Sequence, residues 1–369
     1  MKAHCTLVAL MLVLAACGPV AQVSTAPAGE MASIVEAWRK RTPVPGVVAI
    51  VSAGPDGIQA VASGTLVRDG RRRVTVDTPF RAASITKLLV ATVVMQLREE
   101  GRLSLDDPVS RHLPQAGPIG RLLDGVTVGD LLAHTSGLPD ASRSTELKTS
   151  LLEDPDRTWS VDQVLAIAAK GEPEFQAGSA YGYSNTNYLL LGKVIENLTG
   201  RPWQAEVRHR ILDPTGMEAS YLAGFEDPTG ELAPGYFDLD NDGFTELVPD
   251  PWPALETSED AAGALVSTAP DLVRFLEAFA GGRLVPKRVV AEMTRPGRYS
   301  GRHTGYGLGV EVQRPDLETT VWGHGGLLPG HRSVLWHVPS KNLTVVVLTN
   351  ESRSRLDGLA ELLLRAAAR

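Results

Sequence analysis

Apolar residues gather into short β-branched runs at the two ends of the chain and fall on helical spacing through its middle. Near the start, "GVVAIVSA" (Gly46–Ala53) and "GIQAVASG" (Gly57–Gly64) flank the turn signal Pro55-Asp56-Gly57 and predict a hairpin. Near the end, "HRSVLWHV" (His331–Val338) and "LTVVVLTN" (Leu343–Asn350), joined through Pro339-Ser340-Lys341-Asn342, predict a second hairpin, and "LDGLAELLLRAAA" predicts a closing helix. Between them "TVGDLLAH", "VDQVLAIAAK", "NTNYLLLGKVIENLTG" and "PDLVRFLEAFAGG" read as helices separated by loops rich in Pro and Gly. The expected fold class is α+β: an antiparallel sheet built from both chain ends and flanked by helices, with a mostly helical domain inserted over residues 106–254.

Composition permits this plan. A chain of 369 residues, 43% apolar and 21% charged, suffices for one large domain or two fused ones with a sizeable core. The net charge of −7 is spread without long runs, and no Lys/Arg cluster is interleaved with aromatics, which argues against a nucleic-acid partner. The densest basic stretch, "RDGRRRV" (Arg68–Val74), reads as a solvated hairpin turn.

The amino terminus has a different character. Lys2 precedes the apolar run Leu7–Ala16, too short to span a bilayer but suited to the core of a secretory signal. "LAAC" (Leu14–Cys17) resembles the bacterial lipoprotein box, in which the cysteine is acylated and becomes the new first residue; an ordinary cleaved signal with an incidental cysteine is the alternative. Cys5 and Cys17 are the only cysteines, so a mature fold cleaved here has no disulfide. The expected organisation is a lipoprotein signal over residues 1–17, a flexible tether over 18–30 and a single catalytic domain over 31–369. Membrane contact is expected through a lipid at Cys17 alone. The protein would be secreted across the bacterial inner membrane and held on its outer side, in the periplasm or at the outer membrane.

One predicted helix carries an anomaly. "FRAASITKLLVA" (Phe80–Ala91) is almost wholly apolar in its second half, yet one edge holds Ser84, Thr86 and Lys87. Residues three apart share a helix face, so Ser84 and Lys87 can meet. Two readings fit this edge. A serine N-cap can precede a solvent-seeking lysine, or a lysine in a dry pocket near another cation can lose its charge and serve as base for a nucleophilic serine. "YGYSNTNYLLLG" (Tyr181–Gly192) then brings Tyr183, Ser184 and Asn185 to the entry of an apolar helix, where a phenol beside a lysine can exchange protons with its pKa lowered. In "GHGGLLPGHRS" (Gly323–Ser333), small residues leave strand backbone bare for an extended substrate or a carbonyl oxygen.

In this order the three stretches resemble the serine β-lactamase and D,D-peptidase superfamily, and within it the branch of class C β-lactamases, secreted D-alanyl-D-alanine carboxypeptidases and their esterase and D-aminopeptidase relatives. Tyr-Ser-Asn stands where other branches have S-D-N, and His-Gly-Gly where they have K-T-G. "LLAHTSGLPD", "RILDPTGM", "AAGALVSTAPDLVRFL" and "YGLGVEV" extend the likeness over the whole mature chain. The resemblance implies a β-lactamase/transpeptidase-like fold and a serine hydrolase working through an acyl-enzyme, without metal or other cofactor. Ser84 would be the nucleophile, Lys87 the proton acceptor or relay, and Tyr183 the group that helps deprotonate the serine and then protonates the leaving group. Asn185, His324, Gly325, Gly326 and Leu327 would bind substrate, with the backbone N–H groups of Ser84 and Leu327 as oxyanion hole. The implied partner is a small-molecule or peptide substrate, cell-wall peptide included.

Several look-alike motifs are set aside. "RHTG" (Arg302–Gly305) precedes "YGLGVEV", whereas in the family the third motif follows that strand. "DLDNDG" (Asp238–Gly243) opens like a calcium loop, but its twelfth position is Pro249, so a polar turn is the reading. His134 and Ser136 in "AHTSG" are expected to be structural. The lysine of the third motif is replaced by His324, which leaves Arg302, Arg314 and Arg332 as candidates to meet a substrate carboxylate. Because an unperturbed imidazole loses its charge around pH 6.5, small esters and D-amino-acid peptides or amides are expected to be better substrates than β-lactams. A class C-like β-lactamase and a non-hydrolysing penicillin-binding sensor are the competing functions.

Overall fold

The computed structural model describes residues 29–367 except 55–56, 241, 244, 300, 302–303 and 315–318. The leader, Cys5, Cys17, most of the tether, the Pro55-Asp56 turn and Arg302 therefore lie outside the described residues.

Seven strands form the main sheet: β1 (Gly46–Ser52), β2 (Ile58–Gly64), β3 (Thr304–Tyr306), β4 (Glu311–Gln313), β5 (Val321–Leu328), β6 (His331–Val338) and β7 (Leu343–Thr349). Their order is β2-β1-β7-β6-β5-β4-β3, and every pairing is antiparallel. Strands from the two chain ends meet at β1 and β7, in the register Val48↔Leu348 and Ile50↔Val346. Both expected hairpins are present, β1–β2 and β6–β7, and the expected β5 continues into β6 through Pro329-Gly330.

The helices that frame the sheet and the site are α1 (Glu30–Arg41), α2 (Ile85–Glu99), α3 (Val128–Ala133), α4 (Thr186–Thr199), α5 (Pro253–Gly263), α6 (Ala269–Ala280) and α7 (Leu356–Ala367). Alternation along the strands sends side chains to opposite faces, and both faces are covered. Val47, Ala49, Val345 and Val347 pack with Trp38 of α1 and Leu359 of α7, while Val48, Ile50, Val346 and Leu348 face the cluster that holds α2 and α6. Burial on both sides explains why β1 and β7 read as continuous apolar runs.

Helix α2 runs through the centre. Twelve of its fifteen residues are buried, Lys87 among them, so the helix has no apolar stripe; it is apolar nearly all round. It lies against α4, α5 and β5, and its amino terminus opens where these elements converge. Among the described residues no helix is long and apolar enough to cross a membrane.

Candidate active site

Ser84 is set by its two anchored neighbours. Phe80 and Arg81 pair with Ser267 and Val266, and Ala82 N–H donates to Leu265 O at 2.8 Å. Ala83 then takes φ +53°, left-handed for a residue with a Cβ, a conformation costing on the order of 1–3 kcal/mol. That turn ends the extended segment and puts Ser84 at the N-cap of α2. Thr86 fixes it from behind: its hydroxyl donates to Ala83 O at 2.6 Å and accepts from Leu265 N–H at 2.9 Å.

Lys87 Nζ lies 3.0 Å from Ser84 Oγ and donates to Ala262 O at 2.7 Å. Its ammonium position is 5.1 Å from the centre of the Tyr183 ring and 5.6 Å from that of Tyr188. The Ala262 carbonyl is delivered by a break in α5, where Asp260 takes φ 42°, ψ −132°. Burial pushes the Lys87 pKa down to about 8, and Glu259, Asp140 and Glu311 pull it partly back up. The sequence suggested a dry pocket together with a neighbouring cation, and of these the structure has the dry pocket. The charged neighbours that shift it are carboxylates, and desolvation alone does the lowering.

Tyr183 donates its phenolic hydrogen to Ser84 Oγ at 3.0 Å. Its pKa moves up, not down as proximity to lysine suggested, because burial outweighs the bond to Ser84. The ring is held by His134, whose centroid is 4.2 Å away. His134 is buried and kept neutral by that burial; its Nδ1 accepts from Asn187 Nδ2 at 3.0 Å and from Ser184 N–H at 3.3 Å. Ser136 bonds Asn187 Oδ1 at 2.6 Å, so His134 and Ser136 form a scaffold under Tyr183, with no hydrogen bond to each other.

Asn185 stands at the N-cap of α4 with Nδ2 donating to Ser142 Oγ at 3.0 Å and Asp140 Oδ2 at 3.4 Å. Its Oδ1 is buried and accepts from no described residue. An acceptor left in that state favours a donor arriving with substrate.

Strand β5 closes the other side. Gly325 N–H donates to Glu311 Oε2 at 3.1 Å, away from β6. N–H direction alternates along a strand, so the Leu327 N–H points off the same edge, beyond the end of β4, whose pairing stops at Gly323↔Glu311. The Leu327 side chain is 54% exposed. Gly326 touches the Ala82 carbonyl, directly before the Ala83-Ser84 turn.

His324 differs from expectation. It is fully buried, with Nδ1 2.6 Å from Gly325 O and Nε2 3.0 Å from Tyr306 OH. The carbonyl can only accept, so Nδ1 carries the hydrogen and Nε2 receives the Tyr306 hydroxyl. Burial, helped by Lys87, drops its pKa to about 3, so the ring is neutral where a titration near 6.5 was expected. It supports Tyr306 and the Gly325 backbone and offers a substrate no positive charge. Of the candidate arginines, Arg332 stands opposite Leu327 in the β5–β6 ladder and Arg314 follows β4.

The structure also adds residues the motifs did not name. Tyr306 and Glu311 come from "YGLGVEV" and line a cavity of about 550 Å³ with Asp130, Tyr181 and Tyr299. Away from this site, Asp238, Asp240 and Glu246 present carboxylate oxygens within 4.8 Å of one another and could hold a cation. Asp238 Oδ2 already accepts from Gly243 N–H, and Glu246 Oε2 from Leu239 N–H.

Comparison with known proteins identifies the family of the chain. The beta-lactamase family model matches residues 31–369. Penicillin-binding protein 4 of Amycolatopsis lactamdurans is 30% identical over 333 residues, 85% of this chain and 83% of that protein. Esterase EstB of Burkholderia gladioli is 30% identical over 380 residues, 90% of this chain and 92% of that one. Among solved structures, a D-stereospecific amidohydrolase from Streptomyces sp. superimposes with a TM-score of 0.77 at 32% identity, over 88% of this chain and 95% of the other.

Proposed function

The chain belongs to the beta-lactamase family and is a serine hydrolase acting on amide or ester bonds through an acyl-enzyme, and from that premise we propose that Ser84 is its nucleophile and D-alanyl amides, D-alanyl peptides or small esters its substrates. The observation that carries the reading is the meeting of Lys87 Nζ and Tyr183 OH at Ser84 Oγ, each at 3.0 Å. Neutral Lys87 takes the serine proton as Oγ attacks the carbonyl carbon. The oxyanion is received by the N–H groups of Ser84 and Leu327, donors each worth about 3 kcal/mol in such transition states. Tyr183, protonated because it is buried, gives its hydrogen to the departing nitrogen or oxygen and recovers one from the Lys87 ammonium. Water then enters and gives a proton to neutral Lys87 as its oxygen attacks the ester carbonyl carbon; that proton passes to Ser84 Oγ as the carbon–Oγ bond breaks, which frees the acid and restores the starting state. Asn185 Oδ1 accepts an N–H of the acyl portion.

Labelling by a fluorophosphonate tests the nucleophile: the wild-type enzyme is labelled and Ser84→Ala is not. Comparing kcat/KM for a p-nitrophenyl ester, a D-alanyl-D-alanine peptide and nitrocefin tests the substrate class. Nitrocefin best by orders of magnitude would make the protein a β-lactamase, and stoichiometric acylation without turnover would make it a sensor.

The proposal extends to location. "LAAC" ending in Cys17 supports acylation at that cysteine and a mature enzyme tethered outside a bacterial membrane, within reach of cell-wall peptide. Two or three acyl chains anchor stably where one does not. Cys17→Ser is expected to leave the precursor unprocessed or free the protein from the membrane fraction; normal maturation and fractionation would refute the anchor.

A further inference from the structure

Glu311 is the first residue of β4 and, paired with Gly323, the β4 residue nearest the open end of β5. Its Oε2 holds the Gly325 N–H at 3.1 Å, its Oε1 is 3.6 Å from His324 Nδ1, and 29% of the side chain is exposed, toward the cavity shared with Tyr181 and Tyr306. Here other branches of the superfamily carry the motif lysine; this chain has a neutral, fully buried imidazole with a carboxylate beside it.

We propose that Glu311 is the specificity-determining residue of this site, binding the ammonium group of substrates that carry a free amine next to the scissile carbonyl and turning away substrates that carry a carboxylate there. The inference rests on the serine-hydrolase reading and names its substrate class. The spacing fits. N–H groups on one edge of a strand recur about every 6.7 Å, so a carbonyl oxygen received at Leu327 N–H sits roughly that far from the group bound at Gly325. An α-ammonium lies about 3 Å from its own carbonyl oxygen by covalent geometry and reaches a carboxylate across about 2.8 Å, which spans the gap. Two other charged groups line the cavity. Asp130 is committed to the Thr127 cap and the Thr135 hydroxyl. Arg298 is exposed at the rim over the Tyr299 ring, where water and salt screen it. Tyr181 and Tyr306 give the side chain of an amino acid an aromatic wall.

The test compares three p-nitroanilides of D-alanine on the whole protein: free amine, N-acetyl and N-succinyl, which present a cation, a neutral amide and an anion. The wild-type order of kcat/KM is expected to be amine, acetyl, succinyl. Glu311→Gln keeps an acceptor for Gly325 N–H and should reduce the amine-to-acetyl ratio by about tenfold or more, chiefly through KM, while raising the succinyl-to-acetyl ratio; Glu311→Asp should keep the order. A second readout needs no variant: the wild-type amine-to-acetyl ratio should fall as salt is raised. Ratios that stay unchanged in a folded Glu311→Gln protein, or a wild-type ratio indifferent to salt, would overturn the role of Glu311. Failure of the wild type to cleave any of the three, or any small ester, would instead overturn the hydrolase assignment beneath it, and this inference with it.

Discussion

A Cβ placed on Gly326 would stand 2.2 Å from the carbonyl oxygen of Ala82 and equally close to Ser333 Oγ. Ser333 Oγ itself donates to Ala82 O at 2.8 Å, so β5, β6 and the turn that presents Ser84 are locked together at one contact. Neither a backbone carbonyl nor a hydroxyl bonded to it can step aside. Gly326→Ala is therefore expected to shift β5 relative to Ser84 and separate the Leu327 N–H from the Ser84 hydroxyl. A displacement of about 1 Å costs on the order of a hundredfold in kcat, and the overpacking about 1–3 kcal/mol of stability. Steady-state kinetics with a thermal melt checks both, and near wild-type values for the two would show that the contact does not set the geometry. Gly325→Ala is the contrast, because its Cβ would meet Glu311 Oε2 at an ordinary 3.6 Å and should cost far less stability.

That contact is invisible in the sequence, and the reason is general to this chain. Both hairpins and most of the helices were legible because each is written locally, as a short β-branched run or on a spacing of about three and a half, with turn residues at the joints. Ser84, Lys87 and Tyr183, which the structure brings together, can be picked out as candidates because short motifs carry them. "YGLGVEV" reads only as a strand. Glu311 reaches the site through the register Glu311↔Gly323, a pairing between segments that no local pattern specifies. The electrostatics escape the sequence for the same cause. An unperturbed imidazole for His324, a lowered phenol pKa for Tyr183 and a neighbouring cation for Lys87 are what the sequence offers, whereas full burial dominates each of their shifts.

Lys87 yields a prediction with two signs. To accept the Ser84 proton it must be neutral, and burial brings its pKa down to about 8. For an uncharged ester, kcat/KM should rise with pH and level off above about 8, well below the usual lysine range near 10.4. The same lowering is a stability cost: between the two values the unfolded chain holds a proton that the folded one does not, so stability falls as pH drops from the unfolded value to about 8 and stays reduced below it. Lys87→Met removes the charge while filling the space. It should abolish turnover, by about a thousandfold or more, yet leave the melting temperature unchanged or raised at pH 7. A sharply destabilised Lys87→Met would mean that the ammonium is a structural ion-pair partner.

His324 and Glu311 make opposing claims on the pH dependence of charge selection, and the two can be separated. Both would weaken an anionic substrate as pH rises, His324 by losing a positive charge and Glu311 by gaining a negative one. The structure keeps His324 neutral down to about 3, so it contributes nothing near neutrality. Glu311, raised by burial to about 7 despite the Gly325 N–H, changes charge in the working range. The ratio of kcat/KM for N-succinyl- and N-acetyl-D-alanine p-nitroanilide isolates this term. Neither substrate titrates between pH 5 and pH 9, since a free carboxylic acid ionises near 4, and the Lys87 requirement is common to both and cancels. The ratio should fall as pH rises through about 7. That fall should persist in His324→Asn, which cannot titrate, and flatten in Glu311→Gln. If His324→Asn flattened it and Glu311→Gln did not, the imidazole would be the charge that substrates feel, and its burial beneath Tyr306 would have to open when substrate binds.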